Sequence, residues 1–222
     1  MRTTDPLFLD RADAGRRLAA LLVRERAADT VVVGLARGGV EVAAEVAREL
    51  SAPLDVIAVR KVGHPSQPEY GIGAVAPGQG GVYVRSHDGL TDEQLDEAVD
   101  EARRKADALD RVLHAGRPAL DLTGKVALVV DDGLATGGTM IAALRHAYAR
   151  GARRVVAAVP VAAAASLDAI LRECDELVCP FQLQELFAVG FHYERFEQVG
   201  SERVVELLEE AAARTSAGAS RE

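Results

Sequence analysis

The sequence predicts an α/β protein built on an open, mostly parallel sheet with helices on both faces. Three observations predict it. Apolar clusters alternate along the chain with stretches of helical periodicity. The segment Lys125–Val130 closes in an unbroken apolar run, as expected of a central parallel strand covered on both sides. No internal repeat or linker divides the 222 residues, a length sufficient for one sizeable core.

The elements follow in order. Thr30–Gly34 reads as a buried strand and Gly39–Leu50 as a helix, with Val42, Val46 and Leu50 recurring every fourth position. Leu54–Val59 is a second strand. Residues 60–81 hold Gly63, Pro65, Pro68, Gly71, Gly73, Pro77, Gly78, Gly80 and Gly81, which excludes a long helix and predicts a flexible loop plus a hairpin. Thr91 and Gln94 match a capping box that opens a long helix, with Leu95, Val99, Ala102, Ala106, Leu109 and Leu113 on one stripe. Gly116 and Pro118 end it. After the strand Lys125–Val130 come a helix over Gly137–Arg150, a strand over Arg153–Val161, a helix over Ala163–Arg172, a short strand over Glu176–Cys179 and a last helix over Ser201–Ala213. Residues 1–213 are expected to form a single domain, and 214–222, rich in Ala and Ser, a disordered tail.

Composition excludes several classes. A net charge of -8 argues against a non-specific nucleic-acid binder, which needs a basic face, and against docking on anionic membranes. The longest apolar run, Val155–Ala165, is too short to span a bilayer. Met1–Asp5 carries no apolar signal core, and Cys174 and Cys179 are too few for a disulfide scaffold or a zinc site. A cytoplasmic protein is the default expectation.

The strongest chemical signal is Val126-Ala-Leu-Val-Val-Asp131-Asp132-Gly133-Leu134-Ala135-Thr136-Gly137-Gly138-Thr139. A buried strand ends in two acids, and a short loop leads into a helix. Gly137 and Gly138 let the backbone approach an anion, and free N–H groups at the helix start would point at it. Thr136 and Thr139 add hydroxyl donors. Like charge bars Asp131 and Asp132 from binding phosphate, but as acceptors for vicinal hydroxyls, with help from a metal, they make sense. One loop thus offers donors for a phosphate and acceptors for a diol, the layout that a ribose 5-phosphate requires. The bland alternative is a turn whose acids only cap the helix; the apolar strand before it and Thr-Gly-Gly-Thr after it weigh against that.

Val129–Thr139 resembles the phosphoribosyl-diphosphate signature of the type I phosphoribosyltransferases. The resemblance extends over residues 8–210. It includes the segments Phe8–Gly15 and Phe187–Tyr193, in which the chain is similar to an uncharacterised bacterial branch of that family. The resemblance implies a type I phosphoribosyltransferase fold with a small C-terminal hood. It further implies that Asp131 and Asp132 hold the ribose 2- and 3-hydroxyls and that Ala135, Thr136, Gly137, Gly138 and Thr139 hold the 5-phosphate.

A second site, Val33-Gly34-Leu35-Ala36-Arg37-Gly38-Gly39, again joins a strand to a helix through glycines, and Arg37 can bind a phosphate bidentately. In the family this loop, here Ala36, Arg37 and Gly38, takes the diphosphate, often with a cis peptide, which would fall at Ala36–Arg37. Arg60 and Lys61, at the end of the second strand, are two more cations for the diphosphate. Glu69 and Tyr70 in the following loop are read either as contacts to the reacting centre or as ordinary loop residues, and His64 as solvated. Gly71-Ile-Gly73-Ala-Val-Ala76 fits a dinucleotide fingerprint as a string, but Pro77 and Gly78 exclude the helix that it needs. Residues 180–199, matching the family's hood, hold Phe181, Phe187, Phe191, Tyr193 and Phe196. These rings either stack on a flat acceptor or pack a small subdomain.

The implied reaction displaces diphosphate from phosphoribosyl diphosphate by a heterocyclic nitrogen. Magnesium would bridge substrate oxygens, with Asp131 and Asp132 as its only candidate protein ligands, and Arg37 and Lys61 would neutralise the leaving group. Family members acting on hypoxanthine or guanine resemble one another in a fixed acid where this chain has Ala135, so a 6-oxopurine acceptor is not expected. A non-catalytic sensor of phosphoribosyl diphosphate is the alternative, disfavoured because residues 1–28 are too short for a winged helix. A diphosphate-transferring synthetase would need an ATP site that the sequence does not reveal. The reading leaves room for a homodimer.

Overall fold

The computed structural model describes residues 6–219. Helix α1 (Arg11–Leu21) is followed by β1 (Thr30–Leu35), α2 (Gly38–Leu50) and β2 (Leu54–Ile57). Strands β3 (Arg60–His64), β4 (Gln67–Val75) and β5 (Val82–Val84) precede the long α3 (Asp92–His114). Then come β6 (Val126–Val130), α4 (Gly138–Ala149), β7 (Arg154–Ala158), β8 (Val161–Ala163), α5 (Ala164–Leu171), β9 (Glu176–Val178), β10 (Phe181–Leu183) and α6 (Ser201–Ala219).

The central sheet has the order β2-β1-β6-β7-β9 and is parallel throughout. Both of its faces are covered, which is why its strands read as unbroken apolar runs. Val126, Leu128 and Val130 of β6 join a core with α1, α2 and α6, while Ala127 and Val129 join one with α4 and α5. The chain leaves β1 for β2 on one side, then returns as β6 on the other. The strand order therefore reverses between β1 and β6, where Gly34 pairs with Val130. The crevice beyond the carboxyl ends of such a pair is where open α/β sheets bind ligands.

Several expectations need correction. The segment 60–81 is not mainly loop: β3 and β4 pair antiparallel, β5 extends them, and Val62, Ile72 and Val75 pack on Leu95, Val99 and Ala102 of α3. Arg60 and Lys61 consequently open the hairpin's first strand; the second sheet strand stops at Ile57. The strand expected over Arg153–Val161 breaks at Pro160, which has no N–H to donate, and β8 pairs with β10 in a separate two-stranded sheet. The last helix runs past Ala213, where a disordered tail was expected to begin, to Ala219; residues 220–222 of that tail lie outside the described ones. Helix α1, capped by Asp10 and packed on α2, has no counterpart in the sequence reading because its buried positions are mostly small: Ala14, Gly15 and Ala19 beside Leu18. Thr91 and Gln94 do form the expected capping box. Among the described residues no helix is long and apolar enough to cross a membrane.

Candidate active site

Two loops meet at the reversal point, one after β1 and one after β6. Each leads into a helix whose start lacks a capping side chain: Arg37 occupies the N-cap of α2 and Gly137 that of α4. Helices α1 and α3, by contrast, are capped by Asp10 and Thr91. In α2 the Val40 N–H turns back to the Arg37 carbonyl at 3.2 Å, so the Gly38 and Gly39 N–H groups there, and the first-turn N–H groups of α4, are left to solvent or a ligand, and the helix dipoles favour an anion at both starts. Gly137 has φ 76°, a left-handed conformation that a residue with a Cβ adopts at a cost. The Ala36–Arg37 peptide is cis, as the resemblance implied.

The loops touch through the acid pair. A Cβ on Gly38 would overlap the Asp132 carboxylate, and one on Gly39 would lie 2.7 Å from Asp131 Oδ1. Glycine at these positions is what lets the β1 loop lie against the two acids. The acids differ in surroundings. Asp132 Oδ2 accepts a hydrogen bond from Arg11 Nε at 2.8 Å, and the Asp132 carbonyl accepts one from the Tyr193 hydroxyl at 2.6 Å. Asp131 Oδ1 accepts only the Asp132 N–H, at 2.9 Å, and Asp131 has no ion pair among the described residues. Burial, reinforced by the charge of Asp132, pushes the Asp131 carboxyl well above the usual carboxylate range. Burial raises Asp132 as well, with Arg11 opposing it.

A cavity of about 260 Å³ lies over the start of α4, bounded by Thr136, Gly138 and Thr139 below and by the hairpin above. The hairpin contributes Lys61, Glu69 and Tyr70, so these three do reach the phosphate loop. It also contributes Arg85, with Tyr83 of β5, which sequence reasoning missed. The available signal was the alternating Val82-Tyr-Val84-Arg85 just after the glycine-rich stretch. Arg85 donates to the Gly71 carbonyl at 2.9 Å and lies over the Tyr70 ring. A second cavity, of about 410 Å³, is lined by Arg37, Gly38, Arg11 and Phe196. Arg60 is exposed and lines neither. Ala36 donates its N–H to the Ile57 carbonyl at 3.0 Å, and Ala135 is exposed on the phosphate loop. His64 is half-buried rather than simply solvated, 2.9 Å from the Ser66 hydroxyl.

The aromatic residues of 180–199 divide. Phe181 and Tyr193 pack on Phe8, with ring centroids 5.5 and 5.2 Å away, and Phe196 packs on Tyr193 at 5.0 Å. Phe187 and Phe191 are 84% and 70% exposed. Val189 sits against Gly133, which seats this segment on the acid loop.

Comparison with known proteins agrees with this geometry. The phosphoribosyl transferase domain family matches residues 8–195. A Mycobacterium tuberculosis (strain H37Rv) protein, provisionally named a phosphoribosyl transferase, is 43% identical over 92% of this chain. The chain spans only 47% of that relative's length. The crystal structure of TT1426 from Thermus thermophilus is 38% identical, with a TM-score of 0.78 over 91% of this chain and 98% of that one. A purine phosphoribosyltransferase from Pyrococcus horikoshii, 20% identical with a TM-score of 0.50 over 89% of this chain and 99% of its own, shares the fold.

Proposed function

The chain belongs to the phosphoribosyl transferase domain family, and on that premise we propose that it transfers the 5-phosphoribosyl group of phosphoribosyl diphosphate to a nitrogenous heterocycle in the cytoplasm. The carrying observation is the uncapped start of α4 placed directly after an acid pair at the point where strand order reverses. That arrangement offers N–H donors for the 5-phosphate and carboxylate acceptors for the ribose hydroxyls on one loop. The catalytic unit is a single domain that includes α6 to Ala219, with 180–199 as its hood.

In the proposed reaction a ring nitrogen of the acceptor bonds to the anomeric carbon. The bond from that carbon to the diphosphate oxygen breaks, its electron pair leaves with diphosphate, and the acceptor proton passes to solvent. Thr136, Gly138 and Thr139 hold the 5-phosphate; Asp131 and Asp132 fix the diol. Arg37 on the β1 loop and Lys61 on the hairpin stabilise negative charge on the leaving group. The hairpin, lying over the phosphate loop, excludes water. The donor set suits magnesium: two adjacent carboxylates, Asp131 without a cation partner and Asp132, would supply hard oxygen ligands. Bound there by Asp131 and Asp132, the ion would offset the charge of the diphosphate.

Ala135 carries no acid that could exchange a proton with a purine ring, which supports an acceptor other than a 6-oxopurine. The test is diphosphate release with magnesium, phosphoribosyl diphosphate and each of a panel of bases. Release with adenine, orotate, uracil or another heterocycle is expected. Efficient formation of inosine or guanosine monophosphate would refute the inference from Ala135, and binding without release for any base would point to a sensor.

A further inference from the structure

The two segments that set this chain's resemblance apart, Phe8–Gly15 and Phe187–Tyr193, lie far apart in sequence and meet in the structure. Phe8 and Tyr193 form a parallel bridge, and the Glu194 and Arg195 N–H groups donate to the Phe8 and Leu9 carbonyls, each at 2.9 Å. From this joined body two side chains reach one residue of the acid loop, Arg11 to the Asp132 carboxylate and Tyr193 to the Asp132 carbonyl. Arg11 does more than pair with Asp132. Its Nη1 donates to the Glu197 carbonyl at 2.8 Å, its guanidinium lies 3.7 Å from the centre of the Phe196 ring, and Glu41 of α2 stands 3.7 Å away. Arg11 is only 7% exposed, so its charge depends on these partners.

We infer that Arg11 is a positioning residue that orients Asp132 toward the ribose end of the site and at the same time latches the hood segment 195–197 onto the acid loop. The inference rests on the phosphoribosyl reading for what Asp132 does, but not for the latch itself. A planar fork with five donors can bond a carboxylate and a carbonyl in different directions while stacking on a ring; an ammonium can replace the charge but not the fork. The cover over the acceptor is thereby set from the carboxylate that faces the ribose, through one side chain.

The experiment compares wild type, Arg11→Lys, Arg11→Ala and Phe196→Ala in three measurements. These are amide hydrogen exchange at 193–199 without ligand, calorimetric affinity for phosphoribosyl diphosphate, and KM and kcat for the best acceptor. Arg11→Lys should keep the affinity for phosphoribosyl diphosphate while hood exchange and acceptor KM rise about tenfold, the effect of one lost charge-assisted hydrogen bond, with kcat little changed. Phe196→Ala should show the same split, and Arg11→Ala should lose both binding and latch. If Arg11→Ala does not fold, the Lys and Phe196 variants carry the comparison. Hood exchange in Arg11→Lys equal to wild type would overturn the latch, and unchanged affinity in a folded Arg11→Ala would overturn the orienting role. Should wild type bind no phosphoribosyl diphosphate, the phosphoribosyl reading fails, while the exchange measurement still decides the latch.

Discussion

The phosphate loop, Asp131–Thr139, is made of consecutive residues between β6 and α4. The latch beside it draws on Phe8, Arg11, Tyr193, Phe196 and Glu197, from both ends of the described chain. The loop's features are backbone features: a strand end, a left-handed glycine and an uncapped helix start. Those of the latch are side-chain features, a buried guanidinium and stacked rings. The contrast extends to the acids, since Asp131 belongs to the loop alone while Asp132 belongs to both. A half-buried carboxylate without a cation is a cost that a ligand can relieve, whereas one already paired with a buried arginine is part of the framework.

The broadest test removes both acids. Asp131→Asn with Asp132→Asn should weaken phosphoribosyl-diphosphate binding by about 4 kcal/mol, roughly a thousandfold, because two charged hydrogen-bond acceptors are lost. Calorimetry showing unchanged affinity would remove the ribose site from this loop. Separating the acids sharpens the contrast. Asp132→Asn strips Arg11 of its nearer acidic partner, and although burial offsets part of that loss, it should destabilise the fold relative to Asp131→Asn in a denaturant titration. Asp131→Asn should not destabilise, and at neutral pH should stabilise. The sign follows from the raised folded-state pKa: the unfolded chain releases the proton more readily, so wild-type stability falls as pH rises above 3.8 toward the folded value. A denaturation midpoint that drops equally for both single variants would erase the distinction.

Arg37→Ala should slow diphosphate displacement by about 3 kcal/mol in the transition state while sparing ribose 5-phosphate binding. Single-turnover kinetics that match wild type would leave the β1 loop without a catalytic part. Tyr193→Phe, the mildest change, deletes one hydroxyl from the latch and should cost about 1 kcal/mol of stability. A loss several times larger would mean that the Tyr193 hydroxyl, not Arg11, is the main tie.

A pH effect away from both regions serves as a control. Hydrogen bonds to Asp110 and Asp55 raise His114, at the end of α3, from 6.5 to about 10. Its contribution to stability should be complete below pH 6.5 and fade as pH rises toward 10. His114→Gln should flatten that dependence and leave phosphoribosyl-diphosphate affinity unchanged.

By itself the sequence determined whatever depends on neighbouring residues. It set the succession along the chain of the central-sheet strands and the helices between them, the capping box at Thr91, and the loop in which Asp131, Asp132 and the glycines at the start of α4 fall together. Each of these is set by local sterics or by periodicity, which a single pass along the chain can detect. Residues 60–81 were harder, because Gly and Pro report where a helix cannot form but not which strands will pair. The hairpin register, and with it the arrival of Arg85 over the phosphate loop, depends on Val62, Ile72 and Val75 finding α3. Only the tertiary structure decided that Asp132 is already paired and Asp131 is not. That distinction is made by Arg11, 121 positions away, and no spacing rule links residues brought together by the packing of α1 and the hood against the sheet.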